Sequence, residues 1–452
     1  MRTWGTVAGV AAFACVLAHG GGAQAAAPAA PAPTSGPVSA EAGTGSPDAA
    51  ELKKLRAKVK ALEAWREDQE LKQLQAEANA AAQAGEGDDQ ELELKTFKGG
   101  ARALQALNPE LSVTGDLFFL GRYQDGQDLG AEPPTQFGVR CLGLHIQSNL
   151  DPFSFMKAAI EFNPEEGAEL GEAYATWTNV VPRLNLTAGK FRQQLGVVNR
   201  WHKHALDYFD FPLMLQEAFG PGGLNQIGAS LEWLMPAWWA SEEGLILQVT
   251  DGMNPKAFDK AGALASLPTV LLRLRNYWDL NRDTYLQLGL TGILGWNNAD
   301  DPRMGQPGFT VTPNTTWHTS VYAAADLTLA WEPLNNAKYA GVTWRTEGLY
   351  SRKELPGGLR IETLGGYTSL DAKVSRSWNI GVRGDLTQRF AFGDDDKVLW
   401  QVSPYATWWP SPWSRIHLEY NYVDGDGFGP KAEHRVILQA VFAAGPHKHD
   451  RY

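Results

Sequence analysis

The chain has 452 residues, 44% hydrophobic and 20% charged, with a formal net charge of -11 that argues against a nucleic-acid partner, because phosphate backbones demand a basic surface. Its two cysteines, Cys15 and Cys141, leave no intramolecular disulfide framework once a leader is removed. Past the N-terminal leader no apolar run is long enough for a membrane-spanning helix. A mean hydropathy of -0.30 with 47 Gly and 17 Trp suits instead a closed barrel, the other structure that satisfies its backbone in lipid.

In chain order, Arg2, the apolar run 7–17 and Ala23-Gln24-Ala25 read as a secretory signal peptide over 1–25. Cys15 is not read as a lipidation site, because Ala12 stands where a larger aliphatic is required. Residues 26–50 form an Ala/Pro-rich linker. Over 51–84, Leu52, Leu55, Val59 and Leu62 follow the 3-4-3 spacing of a coiled-coil seam, which fails at Arg66 and Gln69 and resumes at Leu71, Leu74 and Ala78. Two readings stay open: a periplasmic coiled coil that associates subunits, and a solvated helical spacer. A second linker covers 85–110.

From 111 to 452 alternating segments recur, and period 2 predicts strands with one apolar and one polar face. Sixteen are predicted: 111–122, 142–147, 153–162, one around 174–178, 183–191, 226–233, 245–250, 269–278, 285–293, 320–331, 342–349, 359–367, 378–386, 399–408, 415–422 and 434–442. The fold class expected is all-β, a transmembrane antiparallel barrel of about 16 strands, with the apolar row facing lipid and the polar row facing water inside. Trp233, Trp278, Trp331, Trp344, Trp408 and Trp409 sit near strand ends, as an interfacial girdle requires. Short connections (Asp151-Pro152, 179–182, 279–282, 410–413) alternate with longer ones (123–136, 193–225, 252–267, 297–315, 423–433). The short ones are expected to face the periplasm.

The segments 108–116 (NPELSVTGD), 186–196 (LTAGKFRQQLG), 219–228 (FGPGGLNQIG) and 434–442 (HRVILQAVF) resemble porin-like outer-membrane barrels, most closely the phosphate-selective porin O and P group. That resemblance implies a homotrimer of 16-stranded barrels in the bacterial outer membrane, with the third external loop folded inward. By this count the loop is 193–225, carrying Arg200, His202, Lys203, His204, Asp207 and Asp210. It further implies passive diffusion of small hydrophilic solutes or ions, with the N-terminal segment in the periplasm and lipid as surroundings.

Selectivity is where the sequence departs from the group. Rings of one charge set selectivity, but the inferred lumen mixes signs. Lys157, Arg273, Arg275, Arg345, Arg360, Arg383, Arg415 and Arg435 stand against Asp116, Glu161, Glu172, Glu232, Asp326, Glu347, Glu362, Asp385 and Glu419, a near balance that points to cross-strand ion pairs. Anion preference, if any, is expected at Arg273 and Arg275.

His202 and His204 form a weak metal-ligand motif, and His447 and His449 a second. No metal or cofactor is assigned. Ser414 and His417 are near only in sequence, and no catalytic motif occurs, so no enzyme is expected. Two alternatives to a diffusion porin stand beside it: a ligand-specific uptake barrel for metal or metal complexes, and a structural barrel anchored to the cell wall.

Overall fold

The computed structural model describes residues 109–124, 134–164, 167–258, 267–304, 314, 316–428 and 431–445. The expected leader, the first linker, the coiled-coil segment, the second linker up to residue 108 and the His447/His449 pair lie outside these residues, and Glu110, expected in the second linker, begins the first strand.

Sixteen strands follow one another: β1 (Glu110–Gln124), β2 (Thr135–Asp151), β3 (Ser154–Asn163), β4 (Gly167–Val181), β5 (Leu184–Arg192), β6 (Asn225–Met235), β7 (Glu242–Thr250) and β8 (Thr269–Asn281). Then come β9 (Thr284–Asn297), β10 (His318–Trp331), β11 (Gly341–Leu355), β12 (Leu359–Lys373), β13 (Trp378–Gln388), β14 (Val398–Ser411), β15 (Ser414–Asp424) and β16 (Glu433–Ala444). Each pairs antiparallel with its neighbours, and β1 pairs with β16, so the sheet closes without an edge. A closed ladder satisfies every strand in lipid, which an open sheet would not.

The outward face is apolar where lipid would lie. On β10, Val321, Ala323, Ala325 and Trp331 are exposed while Ser320, Tyr322, Asp326 and Thr328 are buried. From Val321 to Trp331 the strand runs ten steps of roughly 3.4 Å, which at a tilt of about 40° gives a band about 25 Å tall. Trp177, Trp233, Trp331, Trp344, Trp378, Trp408 and Trp413 are partly exposed at the end of the short turns, and Tyr123 and Phe137 are exposed at the opposite end. These rings form the two girdles of a membrane barrel.

Turn lengths follow the predicted parity with three departures, one of them the short connection 164–166 between β3 and β4. Residues 152–153, 182–183, 282–283 and 412–413 are tight turns, and 193–224, 251–268 and 298–317 are long. However, β10 and β11 are joined by the longer 332–340, and β11 and β12 by the short Pro356–Gly358. The turn after β2 is fixed by Asp151, whose carboxylate accepts the Phe153 N–H and the Ser154 hydroxyl, both at 2.7 Å.

The inward face corrects the expectation of a wholly polar lumen. Leu271, Ile293, Tyr322, Leu349, Ile361 and Tyr367 point inward and are buried. They are kept dry by the connection 193–224, which enters the barrel and contributes Trp201, Leu206, Tyr208, Phe211, Met214, Leu215 and Phe219 to the same cluster. Phe258 and Phe390, from the connections after β7 and β13, close it.

Candidate pore and constriction loop

The loop 193–224 leaves β5 and returns to β6 through two 3-10 turns, Val198–Arg200 and Lys203–Ala205, and one short helix, α1 (Leu213–Phe219). These pieces are too short to satisfy their own backbone. The far wall does it for them, with charged side chains.

Glu347 on β11 accepts the N–H groups of Val197 and Val198 at 3.1 and 3.2 Å and the Tyr367 hydroxyl at 2.8 Å. Glu419 on β15 accepts the Phe209 N–H at 2.8 Å, and Asp385 on β13 accepts the Leu213 N–H at 3.0 Å. The cations donate in turn. Arg383 donates to the Asp210 carbonyl at 2.8 Å, Arg415 to the Leu206 carbonyl at 2.7 Å, and Arg140 on β2 to the carbonyls of Lys203, at 2.9 Å, and Phe209. Arg345 reaches the Asp207 carboxylate at 3.4 Å and stacks over Trp201. Hydrogen bonds to charged groups are the strong ones in a dry interior.

One glycine permits the closest approach. Gly196 sits at φ +61, and a Cβ there would fall 1.8 Å from Glu347 Oε2. Both conditions demand glycine.

The sequence-predicted pore residues therefore divide. Arg345, Arg383, Arg415 and Glu419 face inward but hold the loop. Arg273 and Asp326 face inward and pair with each other, Nη1 to Oδ2 at 2.7 Å and Nη2 to Oδ1 at 3.0 Å, both buried. Arg275 and Glu232 form a half-exposed pair at 2.9 Å. Arg360 is 58% exposed and shares the outward face of β12 with Leu364 and Leu370, paired with Glu362 at the long-loop end. It was expected in the lumen because a polar rim residue and a lumen residue look alike in sequence.

On the loop, His202 hydrogen-bonds Glu161 at 3.2 Å and Glu172 at 2.9 Å, and its ring stacks on His204, with His145 edge-on to both. Burial lowers the His202 pKa, but the bonds to the two carboxylates outweigh it, and the net shift is upward. Among the described residues no group of three or more His, Cys, Asp or Glu is placed to hold a metal ion. Ser414 and His417 lie on opposite faces of β15, and His417 is engaged by Thr407 and Glu419.

Two cavities flank the loop. One of about 750 Å³ lies against β11–β15, bordered by Asp207, Thr343, Asn379, Thr407 and Arg415. The other, about 700 Å³, lies against β3–β7, bordered by Lys157, Glu172, Tyr174, Arg200, Glu232 and Gln248. Lys157 and Glu172 in this second wall are read as lumen residues from the sequence, whereas Arg192, which completes it, is not. The alternation of β3 and β4 placed Lys157 and Glu172 inward, but nothing local marked them as bordering open space.

No family model matches the chain. An uncharacterized protein of Aquifex aeolicus (strain VF5) is 26% identical over 176 residues, 35% of this chain. The match spans 37% of that relative's own length. Among solved structures, Pseudomonas putida OprB at high pH aligns with a TM-score of 0.54 and 9% identity, over 76% of this chain and 96% of that one. The outer membrane channel DcaP of Acinetobacter baumannii aligns at 0.49 and 11%, over 78% and 100%. The OprB likeness shows the fold, a 16-strand barrel of the outer-membrane porin kind; neither structure is named as phosphate-specific.

Proposed function

We propose that the chain is a bacterial outer-membrane porin through which small hydrophilic solutes or ions diffuse, with 193–224 as its constriction loop. The observation that carries this reading is the loop itself, held across the lumen by charges of the far wall with a polar cavity on either side. A barrel serving only as an anchor has no need of polar space beside its plug.

Because most lumen charges are paired or bound to the loop, the reading gives weak charge selectivity rather than the strong preference of the phosphate-selective group. The modest anion bias rests on Arg200, since Lys157 and Arg275 are paired with Glu172 and Glu232. Residues 1–25 are cleaved, the N-terminal segment lies in the periplasm, and the assembly is a homotrimer. Planar lipid bilayers test the reading. Stepwise currents in potassium chloride, with a reversal potential near zero under a salt gradient, are expected. A folded barrel that passes no current above bare lipid would make it a structural barrel instead.

A further inference from the structure

The carboxylates that face the 700 Å³ cavity are all engaged. Glu172 takes Lys157 Nζ at 3.4 Å, His202 Nε2 at 2.9 Å and the backbone N–H of Arg192 at 3.2 Å. Glu232 takes Arg275 at 2.9 Å, and Glu110 at the rim takes the Gln147 amide at 2.6 Å. Arg192 gives Nη1 to the Gly222 carbonyl at 2.9 Å. Arg200 differs. It stands on the turn Val198–Arg200, borders the cavity, and among the described residues makes one long contact, 3.5 Å to Gln194 Oε1.

We propose that Arg200 anchors a binding site for a small hydroxylated carboxylate. A guanidinium presents a planar fork of donors that matches a carboxylate with two parallel bonds. Lys157 and Arg275 are already neutralised by Glu172 and Glu232; of the two remaining cations, Arg192 is tied to the Gly222 carbonyl and Glu110 at the rim offsets one charge, so the bordering side chains leave a net of one positive charge, which fits a monoanion better than a doubly charged phosphate. Around it stand amides and hydroxyls of Asn149, Asn185, Thr187, Ser230 and Gln248, which pair with hydroxyl groups rather than with apolar surface. The volume is within the range of small-molecule sites. This site rests on the diffusion reading for the route by which a solute reaches it, but its occupancy is measurable apart from any current.

The test is isothermal titration of the full chain, folded in detergent, with gluconate, sorbitol and inorganic phosphate. Gluconate is expected to bind saturably, and sorbitol and phosphate at least about tenfold more weakly. Arg200→Gln is expected to weaken gluconate about tenfold or more, and Arg200→Lys, which keeps the charge but not the fork, by less. Resistance of the barrel to unfolding in cold detergent checks that each variant is folded. The wild-type comparison of gluconate with sorbitol stands even if a variant is not. Equal binding of gluconate and sorbitol, or of gluconate and phosphate, or gluconate binding unchanged in Arg200→Gln, overturns the proposal. Gluconate binding by a protein that carries no potassium chloride current would retain the site and remove the diffusion reading.

Discussion

Replacing Gly196 by alanine is expected to release the loop from the far wall while the barrel stays closed. Two costs combine. A side chain at φ +61 is strained by about 1–2 kcal/mol. The new Cβ, 1.8 Å from Glu347 Oε2, must also displace a carboxylate that holds the N–H groups of Val197 and Val198. Each such charged hydrogen bond contributes about 1.5–3 kcal/mol. The sum is at least about 4 kcal/mol, roughly a thousandfold in the docking equilibrium. Gly220→Ala separates the two terms. Its φ and ψ of +88 and 175 lie in a region essentially confined to glycine, but nothing lies within 4 Å of its added Cβ, so only backbone strain remains, about 1–3 kcal/mol. The assay is hydrogen exchange at the Val197 and Val198 amides in lipid vesicles, with the strand amides as internal control. Equal exchange in Gly196→Ala and Gly220→Ala would refute the claim that Glu347 holds the loop.

Three further outcomes follow from the same geometry. Arg273→Ala leaves Asp326 buried without its bidentate partner and should destabilise the barrel to urea by about 3–5 kcal/mol, whereas Arg273→Met with Asp326→Leu should recover most of that loss; equal costs for the two would mean the pair is not a unit. His202 has a folded pKa raised above its unfolded value of about 6.5, so its contribution to loop docking is complete below that value and is lost as pH rises through the higher folded one. Its neighbours Glu161, Glu172, Lys157, His145 and His204 all face it. The protection factors of the loop amides, taken relative to their intrinsic base-catalysed exchange, should fall from mildly acidic to alkaline pH, and His202→Gln should flatten that dependence. Finally, Arg275→Gln should move the reversal potential toward cations, while Arg360→Gln, on the outward face of β12, should leave it where it was.

The barrel was legible because its rule is local. Alternation on β10 or β9 names the lipid face from each residue and its neighbours, and all sixteen predicted segments fall within or nearly coincide with observed strands. The loop was legible as an inward-folded segment through its length and, by the resemblance, its place as the third external connection. What alternation does not carry is what lies against the inward face. Arg383 and Arg415 read as pore walls, yet each meets a loop carbonyl across the barrel, 173 and 209 residues away in sequence. Inward apolar residues such as Tyr322 and Leu349 break the polar-lumen rule for the same reason: the loop, not water, covers them. Arg200 was placed on the loop from sequence, but its lack of a close partner is a property of the packed cavity alone.

The most direct measurement is the single-channel conductance of the full chain against a chain in which residues 197–222 are replaced by a short Gly/Ser turn. If the loop constricts a water path through a membrane barrel, the shortened chain conducts several-fold more in potassium chloride and loses its solute dependence. Equal conductance in the two, or none in either, would contradict it.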